Sequence, residues 1–321
     1  MAARLLAVLV LLTLAAGSAL AAPLRIAVIS DLNGSYGSVE YQPRVAEAVA
    51  AIIALRPDLV ISAGDMVAGQ RRPALGEAEV RAMWRAFHRE VSDPLAAAGI
   101  PLAVTPGNHD ASAYPGFEAE RRIFAEEWRD RPPAVDWIDA RAYPFHYAFV
   151  LDGVVFAGLD ATRVGRLDPG QTRWLPGVMA GPARARVVFS HLPMWPIAQG
   201  RETQVTQDPA LAALFADLGV DLHLAGHHHA FYPGAARGTA FVSVACLGSG
   251  PRRLVGASET SDPGFVLLEI DEAGTITVAG RHGPGFRETV DLATLPPRMA
   301  GAAGALVRLD RAELPNVRAA R

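Results

Sequence analysis

Lysine is missing from this chain, and all 30 of its basic residues are arginine. The arginines are scattered along the sequence, so the absence reads as a compositional bias and not as a binding device. With a single cysteine, Cys246, no internal disulfide can form, and the core alone must hold the fold. Cys246 lies in the apolar run Ala240–Leu247 and reads as a small core hydrophobe. Charge is sparse as well. Charged residues make up 20 % of the chain and sum to −3, so no basic stripe offers a track for a nucleic-acid backbone. Apolar residues reach 50 %, which excludes general disorder. A length of 321 residues suffices for a substantial core, and no repeat or linker divides it.

The N-terminus has the pattern of a secretory signal. Arg4 supplies the positive charge, Leu5–Ala16 the apolar stretch, and Ala19-Leu20-Ala21 a small-x-small cleavage site. The apolar stretch is short for a membrane span, so residues 1–21 are expected to be removed and no stable membrane anchor is expected. A periplasmic or secreted protein follows. The main domain is expected over residues 22–280, with a cap-like insertion at about 111–143. A Gly-, Pro- and Ala-rich extension over 281–321, without clear periodicity, is expected to lie along the surface.

The first half of that domain alternates two periods. Apolar runs at Leu24–Ser30, Leu59–Ser62 and Leu102–Thr105 read as buried strands. Between them, Val45, Val49, Ile52 and Ile53, then Val80, Met83, Trp84, Phe87 and Val91, recur at helical spacing. Strands alternating with helices predict parallel pairing through right-handed crossovers. Further on, Asp152-Gly153 between Phe145–Leu151 and Val154–Leu159 predicts a hairpin. Helices are expected near Glu118–Arg129, Asp168–Leu175 and Pro209–Leu218, and strands at Val187–Ser190, Leu222–Ala225, Ala240–Leu247, Phe265–Ile270 and Thr275–Ala279.

Five of the strand ends carry the chemistry. Asp31-Leu32-Asn33, Gly64-Asp65, Gly107-Asn108-His109-Asp110, Ser190-His191 and Gly226-His227-His228-His229 each follow an apolar run. Ligands in open α/β sheets bind outside the carboxyl ends of strands, so one shared site is expected despite the sequence gaps. Carboxylate oxygens with imidazole nitrogens suit a divalent or trivalent metal. Each motif alone is weak, since Asp-x-Asn and Gly-Asp populate ordinary turns. Gly-His-x-His after a strand is stronger, because His227 and His229 can leave the turn toward one point.

This succession resembles the calcineurin-like metallophosphoesterase superfamily over about residues 24–250. The stretch Phe145–Leu175, with Gly158-Leu159-Asp160 and Gln171-Thr172-Arg173-Trp174-Leu175, is similar to its bacterial cyclic-nucleotide phosphodiesterase-like branch. The resemblance implies an α/β fold, a four-layer αββα sandwich of two mixed sheets flanked by helices. It also implies two metal ions (Mn, Fe, Zn, Mg or Ca) that hydrolyse a small-molecule phosphate ester with a metal-bridging hydroxide. Asp65 would bridge the metals, Asp31 and His229 would hold one, and Asn108, His191 and His227 the other. His109 would act as general acid, steadied by Asp110.

One position departs from the family pattern. Its first motif ends in His, where this chain has Asn33. A neutral amide oxygen implies a harder, looser first metal site, or a phenolate from Tyr36 or Tyr41 in its place. A non-catalytic metal- or ligand-binding protein on the same fold, weakened at Asn33, is therefore the alternative. His228, between two ligands, is expected to make hydrogen bonds at the surface. Asp160 is expected to form a turn or to hold a metal-ligating His in its tautomer. For substrate, Arg121 and Arg122 could meet a phosphate, and Trp128 could stack on an organic group or simply pack a small helical cap.

Overall fold

The computed structural model describes residues 22–248 and 250–320; the expected signal segment, 1–21, lies outside the described residues. The elements run β1 (Leu24–Ile29), α1 (Pro43–Leu55), β2 (Leu59–Ser62), α2 (Glu77–Phe87), α3 (Asp93–Ala97), β3 (Leu102–Val104), α4 (Asn108–Ala111) and α5 (Glu118–Arg129). Next come β4 (Asp136–Ala142), β5 (His146–Leu151), β6 (Val154–Gly158), α6 (Pro169–Met179), β7 (Ala185–Phe189), α7 (Pro209–Asp217), β8 (Leu222–Ala225), β9 (Tyr232–Ala236) and β10 (Thr239–Ser243). The remainder is β11 (Phe265–Ile270), β12 (Ile276–His282), β13 (Glu288–Thr289), β14 (Arg298–Gly301), β15 (Gly304–Arg308) and β16 (Val317–Ala319). No helix among the described residues is long and apolar enough to cross a membrane.

Two mixed sheets result. A seven-stranded sheet has the order β13-β12-β11-β1-β2-β3, with β16 beside β12, and a nine-stranded sheet has the order β14-β15-β9-β10-β8-β7-β6-β5-β4. β1, β2 and β3 are parallel, as are β6, β7 and β8, so each sheet sends a set of carboxyl ends out of one edge. The β5–β6 hairpin turns at Asp152 and Gly153, both at positive φ (48° and 71°), as its two-residue loop requires.

The alternation of side chains along β1 explains the layering. Ile26 and Val28 belong to the cluster shared with Tyr147, Phe149, Phe156, Val187 and Leu224 of the second sheet. Ala27 and Ile29 face the other way, against Val45, Val49 and Ile52 of α1 and Trp84 and Phe87 of α2. A third cluster joins Val155, Ala157 and Val188 to Leu175 of α6 and Phe215 of α7. Period-two burial on both faces of both sheets yields helix, sheet, sheet, helix. Each fully buried large side chain contributes roughly 1.5–3 kcal/mol.

Two expectations are corrected. Residues 111–143 form no separate cap: α5 buries Ile123, Phe124 and Trp128 in the core beneath the first sheet, and β4 is the edge strand beside β5. Residues 281–321 are no mere surface extension either. β13 and β16 extend the first sheet through β12, while the β14–β15 hairpin extends the second through β9. Such short edge strands carry too few residues for a periodic signal.

Candidate metal centre

The sequence places its candidate ligands just past the strands, and the two parallel sets bring them together. Backbone hydrogen bonds carry the sheet contacts beyond the strands: Asp31 N donates to Gly64 O (3.0 Å), Leu32 N to Asp65 O (2.9 Å) and Gly226 N to His191 O (2.9 Å). Asp31, Asp65, His227 and His229 all have positive φ, at 52°, 55°, 65° and 53°. For residues other than glycine this left-handed region costs on the order of 1–3 kcal/mol, which the surrounding contacts hold in place. Glycine is required at Gly226 for space, since a Cβ there would sit 1.9 Å from Ser30 Oγ and 2.7 Å from Asp31 Oδ2.

Two groups of donor atoms lie within 4.8 Å of one another, Asp65 with His191 and His227, and Asp31 with Asp65 and His229. Asp65 is common to both. Hydrogen bonding on the far side of each ring decides what faces inward. Carbonyl oxygens only accept, so His191 Nδ1 donates to Ala63 O (2.8 Å) and His229 Nδ1 to Gly250 O (2.9 Å). His227 Nε2 donates to Gln204 Oε1 (3.1 Å), an oxygen fixed in turn by Arg201 Nη1 (2.8 Å). Asn108 Nδ2 donates to Gln70 Oε1 (2.7 Å), which turns its Oδ1 toward His191 Nε2 at 3.0 Å.

The second ring nitrogens then face the carboxylates in the centre. His191 Nε2 sits 3.3 Å from Asp65 Oδ2 and 3.3 Å from His227 Nδ1; His229 Nε2 sits 3.1 Å from Asp31 Oδ1. Lone pairs converging in a buried site repel unless protons or cations lie between them. Burial by itself lowers the histidine pKa values, yet Asp65 raises His191 to about 9 and Asp31 raises His229 to about 10. Burial would likewise raise the two aspartates, but His229 holds Asp31 below its ordinary value, and His191 with His109 does the same for Asp65. The donor set therefore fits two cations sharing Asp65.

His109 stands at the rim of this cluster. Its Nδ1 donates to Gly69 O (2.8 Å), leaving Nε2 3.9 Å from Asp65 Oδ2, and its backbone N–H anchors Asp65 Oδ1 at 2.8 Å. Tyr36 packs on its ring at 5.4 Å. Asp110 does not touch the ring, contrary to expectation. Its Oδ1 accepts from Met66 and Val67 N (2.8 and 2.9 Å) and its Oδ2 from Gly107 N (2.8 Å). It ties the Asp65 loop to the Asn108 loop and so positions both.

Other expected contacts are also corrected. Trp128 is 1 % exposed, packed edge-on to Trp84 at 6.1 Å, and cannot meet substrate. Arg122 pairs with Glu77 and Glu126 on the surface. Arg121 binds Ala111 O and Asp160 and lies over Phe145, lining a neighbouring cleft and not the metal pocket. Asp160 accordingly holds an arginine and no metal-facing histidine. The Tyr41 hydroxyl donates to Met66 O (2.8 Å), and burial drives its pKa up. His228 is buried: its Nδ1 accepts from Ile197 and Ala198 N, and its Nε2 donates to Gln204 O. Asn33 is buried beside Asp31, with its N–H on Asp65 O at 3.3 Å. The pocket over the cluster holds about 290 Å³ and is also lined by Gln70, Arg201, Gln204 and Arg252, which no strand-end pattern marks.

The sequence model of the calcineurin-like phosphoesterase family matches residues 24–231. The chain belongs to this family. Curated protein sequences contain no match to it. Among solved structures, the chain is similar to a purple acid phosphatase from yellow lupin (Lupinus luteus) seeds, with TM-score 0.64, 17 % identity and coverage of 83 % of this chain and 52 % of that one. It thus spans about half of the lupin protein. A dimetal phosphatase from Danio rerio has TM-score 0.56 and 17 % identity, covering 84 % and 98 % of the two chains. GAP50, the anchor in the inner membrane complex of Plasmodium, has TM-score 0.54 and 14 % identity, covering 92 % and 91 %. These likenesses speak for the fold, which is the αββα sandwich expected.

Proposed function

We propose that this phosphoesterase is an exported enzyme that hydrolyses small-molecule phosphate esters with two divalent cations. The observation that carries the reading is the cluster of carboxylate, amide and imidazole groups around Asp65, with His109 at its rim. Asp31, Asp65 and His229 would hold one cation, with Asn33 beside them, and Asp65, Asn108, His191 and His227 the other. When bound, the cations supply Lewis acidity, which acidifies water and neutralises phosphoryl charge.

The remaining chemistry belongs to the chain. Water oxygen forms the new P–O bond as the bond to the leaving group breaks, and the leaving oxygen needs a proton. His109 can hold that proton on Nε2, because Gly69 O engages Nδ1 and fixes the ring. Asp110 keeps the Asp65 and His109 loops in register through three backbone amides. Tyr36 and Tyr114 line the pocket and offer apolar surface to an organic leaving group. The similarity of Phe145–Leu175 to the cyclic-nucleotide phosphodiesterase-like branch supports a phosphodiesterase or a broad phosphatase.

Elemental analysis together with a panel of aryl phosphate, bis-aryl phosphate and cyclic nucleotides, with manganese added, tests the reading. Asp65→Asn is expected to lose metal and turnover, and His109→Ala to lose turnover while keeping metal. Full turnover in Asp65→Asn would overturn the shared-carboxylate assignment. The second reading, a metal- or ligand-binding protein without catalysis, is supported by Asn33 and by the fold's occurrence in an anchor protein. One tightly held metal without hydrolysis of any ester would establish it.

A further inference from the structure

We propose that Arg201 and Arg252 form an anion clamp in the wall of the metal pocket that selects phosphate monoesters over diesters. This rests on the phosphoesterase reading above and, within it, favours the phosphatase over the phosphodiesterase. Both arginines line the same cavity as Asp65, Asn108, His109, His227 and His229.

Arg81, Arg121, Arg122, Arg131, Arg141, Arg184 and Arg308 each meet a carboxylate. Among the described residues, Arg201 and Arg252 meet none within 4.0 Å. Arg252 Nη1 donates to His227 O (2.7 Å) and Arg201 Nη1 to Gln204 Oε1 (2.8 Å). Each guanidinium carries five N–H groups, so most of the donors stay available. Two guanidinium groups with unused N–H donors, lining one pocket beside the candidate metal ligands, suit an anionic occupant.

Both arginines are also held in place. The buried ring of His228 takes the N–H groups of Ile197 and Ala198 and donates to Gln204 O, pinning the loop that carries Arg201. Arg252 N reaches His229 O at 3.3 Å. A monoester presents three unesterified oxygens sharing two negative charges, a match for two guanidinium forks. In a diester one of those oxygens carries a second organic group, and a single charge remains.

Arg201→Gln, Arg252→Gln and Arg252→Lys, with metal content verified, are compared with the unmodified protein. Each Gln variant is expected to weaken inorganic phosphate binding, measured by calorimetry, by roughly 10- to 100-fold. It should also lower kcat/KM for aryl phosphate by a similar factor, mainly through KM, and that for bis-aryl phosphate by less than about threefold. Arg252→Lys should recover part of both losses. Equal losses on the two esters, or unchanged phosphate affinity in Arg201→Gln, would overturn the clamp. If the unmodified protein hydrolyses neither ester, the phosphoesterase reading fails, while phosphate binding still decides whether the arginines hold an anion.

Discussion

Replacing Gly107 by alanine tests the architecture of the centre with a single methyl group. Gly107 has φ −90°, a conformation alanine adopts freely, so backbone strain plays no part. Space is the obstacle. The new Cβ would lie 2.0 Å from Asp65 N, 2.2 Å from Asp65 Oδ1 and 2.8 Å from Asp65 Cα. Ordinary contact begins at about 3.4 Å, so the two loops must part by roughly 1 Å or more. They are joined by Asp110, through Met66, Val67 and Gly107 N, and by His109 N on Asp65 Oδ1. Separation therefore strains charge-assisted bonds as well as packing. Overpacking of this kind costs about 1–3 kcal/mol, and a 1 Å misplacement of reacting groups costs on the order of 100-fold in rate. Gly107→Ala is expected to keep its fold, to lose about 1–3 kcal/mol in urea unfolding, and to lose at least about 100-fold in kcat/KM on aryl phosphate, with reduced metal content. Gly177→Ala, whose added Cβ meets nothing within 4 Å in α6, serves as the control with unchanged activity. Wild-type turnover and metal content in Gly107→Ala would refute the close approach of the two loops.

Trp128→Ala is expected to destabilise the protein by about 3–5 kcal/mol in denaturant unfolding, through the emptied space beside Trp84 and Phe87, with KM unchanged; a raised KM at full stability would restore it to the substrate site. His223 supplies a pH dependence. Burial depresses its pKa from the ordinary 6.5 to about 3, and its Nε2 lies 2.8 Å from Ser190 Oγ. The unfolded chain takes up this proton first, so the contribution is intact above pH 6.5 and declines as pH falls toward 3, by roughly 2 kcal/mol at pH 5. Unfolding free energies of His223→Gln should accordingly fall less steeply between pH 7 and pH 5, and parallel slopes for the two proteins would count against the neutral buried ring.

Much of the centre could be read along the chain because its candidate ligands follow local signals. A buried strand announces itself by an unbroken apolar run, and the parallel crossovers of an α/β domain bring such strand ends to one side. Asp31, Asp65, Asn108, His191, His227 and His229 were legible for that reason, and their gathering in the structure follows from chain topology. The roles of Asp110, Asp160 and His228 were not legible. Each is decided by which backbone amide, guanidinium or carbonyl happens to lie opposite, and no spacing encodes that.

Trp128 shows the same limit from the other side. Its helix was visible, but whether its ring faced solvent or core depended on α2, about forty residues earlier in the chain. The edge strands after 281 were hidden because pairing partners, and not their own composition, make them strands. Sequence alone thus determined the strand-end ligand set and the layered architecture, since both arise from periodicity and turn chemistry. Tertiary structure alone decided which ring nitrogens face the centre, and it placed Arg201 and Arg252 in its wall. Those outcomes depend on distances between segments remote in the chain, which local propensity does not specify.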